Sequence, residues 1–269
     1  MTEMPVVGSY SETGGATKTT TAVSVAVTYA EAHPDEPVIL GDLDPRGAAT
    51  KWTGAEASEA GLDMSAILGQ DDVQGWADEL AVPLDAEAGW PANLRVIPSG
   101  FRRQSTQESM SGDHAQLRLR RSLQGVEAGL VVFDFPNRQG GIITQNGLSA
   151  CNRMVYAGKP DADGLDGVEG AVETVRRFHG YCRDLGLPEY PREMGIVLGM
   201  AYRGAVLSTD ERFSTNELKE IYGDLLITPF IPWLGIVKTA RSAFEWYGKY
   251  PAAKSVVAAY AEVAEKVTR

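Results

Sequence analysis

The feature that most constrains this chain is a glycine-containing loop between an apolar run and a helical pattern, in the stretch Met4–Thr21. This order predicts a strand, a loop and a helix, with Lys18 at the start of the helix. Unpaired N–H groups at a helix N-terminus and the helix dipole together favour a bound phosphate. From there Lys18 can reach the outer phosphates of a nucleotide, and the hydroxyl of Thr19 is placed to ligate a magnesium ion.

The ordinary phosphate-binding pattern has glycine six residues and one residue before the lysine, whereas this chain has Glu12 and Thr17 there. The stretch instead resembles the deviant Walker A loop of the ParA/MinD family of ATPases, which reads Lys-Gly-Gly-x-Gly-Lys-Thr-Thr. The positions that match in register are Gly14, Gly15, Lys18, Thr19 and Thr20. Thr13 stands where the family has its signature lysine, and Thr17 where it has a glycine. The alternative is a glycine-rich turn without a ligand.

Two carboxylates, Asp42 and Asp44, follow the second apolar run and point the same way in an extended segment. They lie at the carboxyl edge of the predicted sheet, where ligands of open α/β folds bind. The stretch is similar to the family's Asp-x-Asp-Pro-Gln-Gly segment, with Arg46 in place of Gln. The resemblance implies that Asp44 orients the attacking water, and Asp42 is a candidate metal ligand. The alternative is that Asp44-Pro45 is an ordinary helix start.

A third element, Gly129–Pro136, is an apolar run that leads into the single acid Asp134 and has the shape of a Walker B strand. An uninterrupted apolar run is typical of a central parallel strand that is buried on both faces. An unpaired carboxylate at its end is costly to bury, so a magnesium ion is the expected partner of Asp134. The alternative is that Asp134 caps the following turn.

Short apolar runs alternate with helical patterns, which predicts an α/β fold with a doubly wound, mostly parallel central sheet flanked by helices, of the P-loop type. We predict strands at 4–10, 37–42, 93–97, 129–135, 152–158, 194–200 and 225–230. We predict helices at 17–33, 45–53, 73–80, 113–125, 164–186, 210–223 and 252–267, with a short one near 238–248. Residues 54–92 are the least determined. No linker stands out, so we expect one nucleotide-binding domain over residues 1–269.

Composition limits the environment and the partners. The apolar share of 43% and the charged share of 23% are ordinary for a globular protein. The start of the chain lacks the regions of a secretory signal, and no apolar run is long enough to span a bilayer. Cys151 and Cys182 lie 31 residues apart, which fits a reduced cytoplasmic protein. The net charge of −11 means that any contact with DNA depends on a local patch.

Three further sets of residues follow from the resemblance. Met200 and Pro232 are candidate neighbours of the adenine base, because the family's late strands lead to it; core and turn roles remain equally open. Lys159 follows a strand at the same sheet edge and is a candidate to replace the signature lysine across a dimer interface; a solvated loop lysine is the alternative. Residues 231–269 hold six basic residues against three acidic ones. The candidate DNA contacts among them are Lys238, Arg241, Lys249 and Lys254, with solvated helix faces as the alternative.

Taken together, the resemblance implies a slow ATPase that binds ATP or ADP with Mg²⁺ and forms a homodimer on ATP. It implies non-specific DNA binding, nucleoid association in the ATP state, and a small ParB-like activator that binds DNA or cargo. Such proteins act in plasmid or chromosome partition or in cargo positioning. We expect no membrane contact, because the last helix lacks bulky apolar residues. The nucleotide-binding positions are Thr13, Gly14, Gly15, Ala16, Thr17, Lys18, Thr19 and Thr20. The second hypothesis is a nucleotide- or DNA-binding scaffold of the same fold without useful hydrolysis.

Overall fold

A seven-stranded sheet lies at the centre of the computed structural model, which describes residues 3–15, 17–109, 112–199 and 208–269. The strands are β1 (Val6–Tyr10), β2 (Val38–Asp42), β3 (Val82–Pro83), β4 (Leu94–Ile97), β5 (Leu130–Asp134), β6 (Arg153–Gly158) and β7 (Arg192–Leu198). Their order across the sheet is β3-β4-β2-β5-β1-β6-β7. Neighbouring strands are parallel, except for the antiparallel pair β3 and β4. The prediction of a doubly wound, mostly parallel α/β sheet is confirmed.

Helices cover both faces of this sheet. They are α1 (Lys18–Ala32), α2 (Ala48–Thr53), α3 (Met64–Gly69), α4 (Trp76–Glu79), α5 (Arg102–Thr106), α6 (Arg118–Ser122), α7 (Gly141–Ala150), α8 (Ala162–Asp184), α9 (Thr209–Tyr222), α10 (Gly235–Ser242) and α11 (Lys254–Thr268). Successive strand residues point to opposite faces. Val7 therefore packs into a core with α1, α2 and α11, and Val6 into a second core with α3, α7 and α8. Burial on both sides explains why the strands are apolar throughout.

The direction of winding reverses at β1. This strand lies between β5 and β6, and the chain continues from it to β2 on one side and later to β6 on the other. Because all four strands are parallel, their carboxyl ends meet at one edge of the sheet, which is where ligands bind in open α/β folds. In register, Ser9 pairs with Asp134, and Asp42 also pairs with Asp134. The loops that follow these strands are thereby brought together.

The predicted strand at 225–230 is wrong. Gly223–Leu225 form a turn of 3₁₀ helix, and the only pairing described for this run is an isolated bridge between Ile196 and Leu226. Pro229 falls inside the run and cannot donate a backbone hydrogen bond, which prevents a continuous ladder. The run still extends along β7, because the N–H of Ile231 donates to the carbonyl of Leu198 at 2.9 Å.

Several predicted helices have different bounds. The helix predicted at 45–53 begins at Ala48, because Gly47 adopts a left-handed φ of 64° just before it. The helix predicted at 113–125 is a 3₁₀ turn followed by the short α6. Helix α7 was not predicted, because its glycines and polar residues hide a helical period. Gly147 is needed there, since a β-carbon would stand 2.4 Å from the ring of Phe135.

Candidate functional site

A cavity of about 450 Å³ opens at the carboxyl edge of the sheet, beside the loop between β1 and α1. Its lining residues are Gly14, Gly15, Thr17, Lys18, Thr19, Thr20, Asp44, Arg46, Ala48, Asn137, Lys159 and Arg241. The cavity thus collects residues that follow four strands of the sheet, together with one residue of α10. Most of the positions predicted to bind nucleotide phosphate lie on this one surface.

Lys18 is the buried cation of the cavity, with 7% of its surface exposed. Its ammonium donates to the carbonyl oxygen of Thr13 at 2.9 Å, and its own carbonyl accepts from the Ser9 hydroxyl at 3.0 Å. Burial lowers the pKa of Lys18, while the carboxylates of Asp134 and Asp44 oppose that shift. A buried lysine held by a single loop carbonyl is well placed to exchange that contact for a phosphate oxygen.

Thr17, at the position where the resemblance would place a glycine, adopts a left-handed conformation, with φ 66° and ψ 7°. This conformation is strained for a β-branched residue. The side chain packs against Gly199, where a β-carbon would stand 2.5 Å from the Thr17 hydroxyl oxygen. That oxygen is buried and has no hydrogen-bond partner in the described part of the chain. The loop therefore follows the path that the glycine would take, and Thr17 bears the strain.

Thr13, at the position where the resemblance would place the signature lysine, has its side chain against α8 of the same chain. A β-carbon on Gly167 would stand 2.4 Å from the Thr13 hydroxyl oxygen and 2.7 Å from the Ser11 hydroxyl oxygen. About two turns further along α8, Thr174 donates from its hydroxyl to Glu12 at 2.6 Å. The N–H of Glu12 donates to the carbonyl of Gly167 at 3.0 Å. The first part of the loop therefore packs closely on α8, because Gly167 has no side chain to keep it away.

Thr19 and Asp134 form the pair that is suited to a divalent cation. The Thr19 hydroxyl donates to Asp134 Oδ2 at 2.6 Å, and Asp134 is fully buried. Asp134 Oδ1 has no hydrogen-bond partner among the residues that the structure describes. Burial raises the pKa of Asp134 well above its usual range, and the nearby Asp42 adds to the shift. A buried carboxylate oxygen without a partner is costly, and a cation or a cation-bound water would satisfy it.

Asp42 has a different set of partners. Its Oδ2 accepts from the N–H and the hydroxyl of Thr50 at 2.8 and 2.7 Å, and its Oδ1 accepts from the N–H of Asp44 at 3.1 Å. Burial raises its pKa to about 6, although the bonds from Thr50 oppose the shift. Since both oxygens are engaged by the protein, this geometry favours a structural role for Asp42, and its role as a metal ligand stays a prediction.

Asp44 is held at the rim of the cavity, 8% exposed, by a turn rather than by a helix. Its Oδ1 accepts from the N–H of Arg46 at 2.9 Å, which is an Asx-turn. Its carbonyl accepts from the Ser99 hydroxyl at 3.0 Å and from the N–H of Gly47 at 2.8 Å. The helix start predicted as an alternative role for Asp44 is therefore not formed, because α2 begins four residues later.

Three further cations line the same cavity. The Lys159 ammonium lies 3.6 Å from where a β-carbon on Gly15 would stand, and Arg46 Nη1 lies 4.0 Å from the equivalent point on Gly14. The Arg241 guanidinium lies over the ring of Trp52, 6.0 Å from its centroid. Lys159 thus reaches the loop of its own chain, and a contact across a dimer stays a prediction. Together with Lys18, these residues make the cavity suited to a polyanion.

Other predicted residues lie apart from the cavity. Pro232 is not among its lining residues. Ala16 and Met200 fall outside the described residues. Among the candidate DNA contacts, Lys238 and Lys254 are exposed, Arg241 belongs to the cavity, and Lys249 pairs with Glu245 at 2.8 Å. The four basic residues that are candidates for DNA contact therefore do not share one environment.

Four of the lining residues were not predicted from the sequence to belong to the cavity: Arg46, Ala48, Asn137 and Arg241. Arg46 had been noted only as a departure from the family's segment, although its place two residues after Asp44 was a usable signal. Asn137 carried no signal beyond following the strand that ends at Asp134. Arg241 had been assigned to DNA because of its charge alone, and only the packing of α10 against α2 brings it to the cavity.

In the described part of the chain, no group of three or more His, Cys, Asp or Glu residues could by itself hold a metal ion. This is compatible with Mg²⁺, which is usually held by one or two protein ligands together with water and phosphate oxygens. Among the same residues, the structure has no helix with both the length and the apolar character needed to cross a bilayer.

Comparisons with known proteins agree with this geometry. The AAA domain family AAA_31 matches residues 4–185. The sporulation initiation inhibitor protein Soj of Bacillus subtilis is 28% identical over 174 residues, which span 64% of this chain and 64% of that protein. The chromosome-partitioning ATPase Soj of Thermus thermophilus is 26% identical over 254 residues, 94% of this chain and 91% of that protein. The apo structure of McdA from Cyanothece has a TM-score of 0.78 at 19% identity and covers 98% of this chain and 100% of that one, which shows a shared fold.

Proposed function

Because this chain belongs to the AAA domain family AAA_31 and is a ParA/MinD-type ATPase, we propose that it binds ATP with Mg²⁺ in the cavity beside β1 and hydrolyses it slowly. The observation that carries the proposal is the meeting of Lys18, the Thr19–Asp134 pair and Asp44 on one cavity. Phosphoryl transfer to water needs three things: neutralised phosphate charge, a bridging metal, and a water held in line. Each of these residues suits one of the three.

Lys18 and the start of α1 would hold the phosphates. On binding, the Lys18 ammonium would leave the carbonyl of Thr13 and bond to outer phosphate oxygens. The free N–H groups of the first turn of α1 would bond to the inner phosphates. Gly14 and Gly15 leave the backbone of the loop exposed, so that a phosphate can approach it closely.

Thr19 and Asp134 would hold Mg²⁺, Thr19 through its hydroxyl and Asp134 directly or through water. When bound, the ion would neutralise negative charge on the outer phosphates. The fit rests on the unpaired Asp134 Oδ1 and on the 2.6 Å contact between the two side chains.

Asp44 would orient the attacking water. In the reaction, the water oxygen bonds to the γ-phosphorus while the bond to the oxygen that bridges the β-phosphate breaks. The electron pair of that bond goes to ADP, and the water proton leaves with phosphate or solvent. Asp44 Oδ1 is tied to the N–H of Arg46, so the carboxylate keeps one orientation towards the cavity.

At the cellular level we infer a role in plasmid or chromosome partition or in cargo positioning, by a cytoplasmic protein. The relatives described as a chromosome-partitioning ATPase and a sporulation inhibitor support this role. Nucleotide would act as a switch: ATP favours a homodimer that binds DNA without sequence preference, and a ParB-like partner triggers release. We also infer that residues 1–269 act as one nucleotide-binding domain. Support comes from α11, whose Tyr260 hydroxyl lies 3.3 Å from the hydroxyl of Thr21 on α1.

The salt dependence of DNA binding tests whether the tail, residues 231–269, contacts DNA. Exposed Lys238 and Lys254 are the candidates that remain away from the cavity. We expect the double variant Lys238→Ala, Lys254→Ala to weaken binding to random-sequence duplex in ATP and to reduce the slope of log K against log salt by about two. Glu262→Ala with Lys254 intact serves as the surface control. An unchanged slope would remove the tail from the DNA contact.

The role of Lys159 is tested in the same ATP-dependent dimerisation. Lys159→Ala is expected to weaken nucleotide binding, because the ammonium lies at the loop, and to weaken nucleotide-driven dimerisation if the lysine also reaches a partner. Sedimentation with a non-hydrolysable ATP analogue separates these effects. Untouched dimerisation and turnover would leave Lys159 as a solvated loop residue.

The second candidate function, a scaffold that binds nucleotide without useful hydrolysis, is favoured by one observation. Thr17 is strained at φ 66°, and Thr13 in the signature position packs against α8 rather than facing outward. Both departures fall on the loop that holds the phosphates.

Phosphate release in Mg²⁺, measured with and without DNA, decides between the two functions. We expect Lys18→Ala to lose nucleotide binding, and Asp44→Ala to keep binding but lose at least about 100-fold in turnover, in line with removal of a group that acts in the transition state. Arg121→Ala, an exposed change on α6, is the control. Equal background rates in wild type and Asp44→Ala, with nucleotide bound in both, would favour the scaffold.

A further inference from the structure

Arg46 is one of the lining residues to which the proposed phosphate site gives no role. It stands where the resembling segment has Gln. Its guanidinium lines the same cavity as Lys18, Thr19 and Asp44. We propose, on the basis of the function proposed above, that Arg46 is a catalytic residue that contacts the transferred phosphoryl group within its own chain.

The first support is position. Arg46 Nη1 lies 4.0 Å from where a β-carbon on Gly14 would stand. Gly14 follows Thr13, whose carbonyl holds the Lys18 ammonium. The guanidinium and the ammonium therefore approach the same end of the loop, which is the end that would face the outer phosphates. Two cations this close repel each other until an anion lies between them.

The second support is that the side chain is available. Within the described residues the guanidinium of Arg46 forms no ion pair with a carboxylate, although Arg95, Arg103, Arg118 and Arg138 all do. It is exposed, so no packing has to be broken for it to meet a ligand. A guanidinium presents a planar fork of donors that matches phosphate oxygens.

The third support is that the backbone of Arg46 is fixed although its side chain is free. Its N–H donates to Asp44 Oδ1 at 2.9 Å, and its carbonyl accepts from the Lys51 ammonium at 2.8 Å. The next residue, Gly47, has φ 64° and lies under the ring of Phe101, where a β-carbon would stand 2.2 Å from that ring. Phe101 in turn donates its N–H to the Ser99 hydroxyl, which donates to the Asp44 carbonyl.

These contacts tie Arg46 to Asp44 in one turn. As the water bonds to the γ-phosphorus and the bond to the bridging oxygen breaks, negative charge spreads over the phosphoryl oxygens. Asp44 would hold the water on one side while Arg46 stabilises that charge from the same turn. A cation supplied by the chain itself also makes turnover independent of a partner's lysine, which suits a loop that carries Thr13.

The test uses the full-length chain with Arg46→Gln, Arg46→Ala and Arg46→Lys. We expect the first two to lower kcat roughly 10- to 100-fold, less than an arginine finger inserted into a closed site because this side chain is exposed. Arg46→Lys should retain an intermediate rate, since it keeps the charge but not the fork. ADP affinity should change little in all three. Affinity for ADP with aluminium fluoride, which mimics the transferred phosphoryl group, should fall in parallel with kcat. Arg121→Gln is the matched control.

Mixing variants shows which chain supplies the cation. A mixture of Arg46→Ala with Asp44→Ala keeps nucleotide binding in both kinds of subunit, but the carboxylate that orients the water is intact only in subunits that lack Arg46. If Arg46 acts within its own chain, activity stays at the Arg46→Ala level; recovery in the mixture would overturn that part of the inference.

Two outcomes overturn the whole inference, and they differ in what else they affect. If Arg46→Gln keeps wild-type kcat and wild-type affinity for ADP with aluminium fluoride while Asp44→Ala is inactive, Arg46 is not catalytic and the proposed ATPase stands. If the wild type binds nucleotide but releases no phosphate above the Asp44→Ala background, the catalytic role of Arg46 and the hydrolytic function fall together.

Discussion

The loop after β1 and the turn after β2 meet at the same cavity, but they are held in place in opposite ways. The loop after β1 is held mainly by close packing on glycine: Thr13 lies against Gly167 of α8 and Thr17 against Gly199, with Glu12 adding hydrogen bonds to α8. The turn after β2 is held by hydrogen bonds: Asp44 accepts from Arg46, Gly47 and Ser99. The loop after β1 therefore depends on small residues of its neighbours, whereas the turn after β2 depends on polar ones.

The comparison can be tested most strongly at Gly167. Gly167→Ala places a β-carbon 2.4 Å from the Thr13 hydroxyl oxygen, so we expect a loss of about 1–3 kcal/mol in the free energy of unfolding from overpacking. We also expect at least a 10-fold loss in nucleotide affinity, because the loop must move. Isothermal titration and urea unfolding measure the two effects.

The matched control for this change lies on the same helix. A β-carbon on Gly180 would meet nothing within 4 Å, so Gly180→Ala should raise stability by up to about 1 kcal/mol through helix propensity and leave nucleotide affinity unchanged. If both variants behave alike, the packing of α8 does not hold the loop.

The turn is tested at Ser99. Ser99→Ala leaves the N–H of Phe101 without its partner and removes one of the bonds to the Asp44 carbonyl. We expect a loss of about 1–2 kcal/mol in stability and a several-fold lower kcat with nucleotide affinity retained. Ser122→Ala is the control, because that buried hydroxyl bonds only to the Leu119 carbonyl one turn earlier in its own helix. A fall in affinity rather than in kcat would contradict the division between loop and turn.

The smallest effect is expected at Thr17. Thr17→Gly relieves the left-handed strain, worth about 1–2 kcal/mol, but it adds a backbone entropy cost of about 0.5–1 kcal/mol. We therefore expect the free energy of unfolding, measured by thermal unfolding, to rise by about 0.5–1 kcal/mol. We also expect nucleotide binding to become tighter. Thr17→Ala keeps a β-carbon at the left-handed position but removes the buried unpaired hydroxyl and the methyl group that pack against Gly199, so it separates backbone strain from side-chain effects. If Thr17→Gly lowers stability, packing against Gly199 outweighs strain.

The sequence was sufficient to predict which residues converge, because parallel strands bring their carboxyl ends to one edge whatever the details between them. That rule and the family resemblance together predict that one edge of the sheet holds Lys18, Thr19, Asp44 and Asp134. The sequence was not sufficient to predict which neighbouring residues hold these side chains in place. The partners of Asp42 come from Thr50, which belongs to another element. The position of Phe101 over Gly47 depends on a backbone conformation, φ 50°, that aromatic residues seldom adopt.

The same limit applies to the tail, where contact with DNA stays a prediction. A count of charges selected the candidate residues, but charge in sequence does not say what a side chain lies next to. Arg241 reaches the cavity because α10 packs on α2, and Lys249 is neutralised by Glu245 one helical turn away. By contrast, the strand predicted at 225–230 failed for a local reason, since Pro229 interrupts the ladder that an apolar run alone suggests.

The absence of a side chain at Gly167 also restricts how this chain can vary. Residue 13 and residue 167 share one small volume, so neither can grow unless the other shrinks or the helix withdraws. A lysine restored at position 13 would meet α8 before it reached any other subunit, unless its side chain left the present direction of Thr13. We therefore expect these two positions to change together among sequences that share this loop, as paired substitutions rather than independent ones.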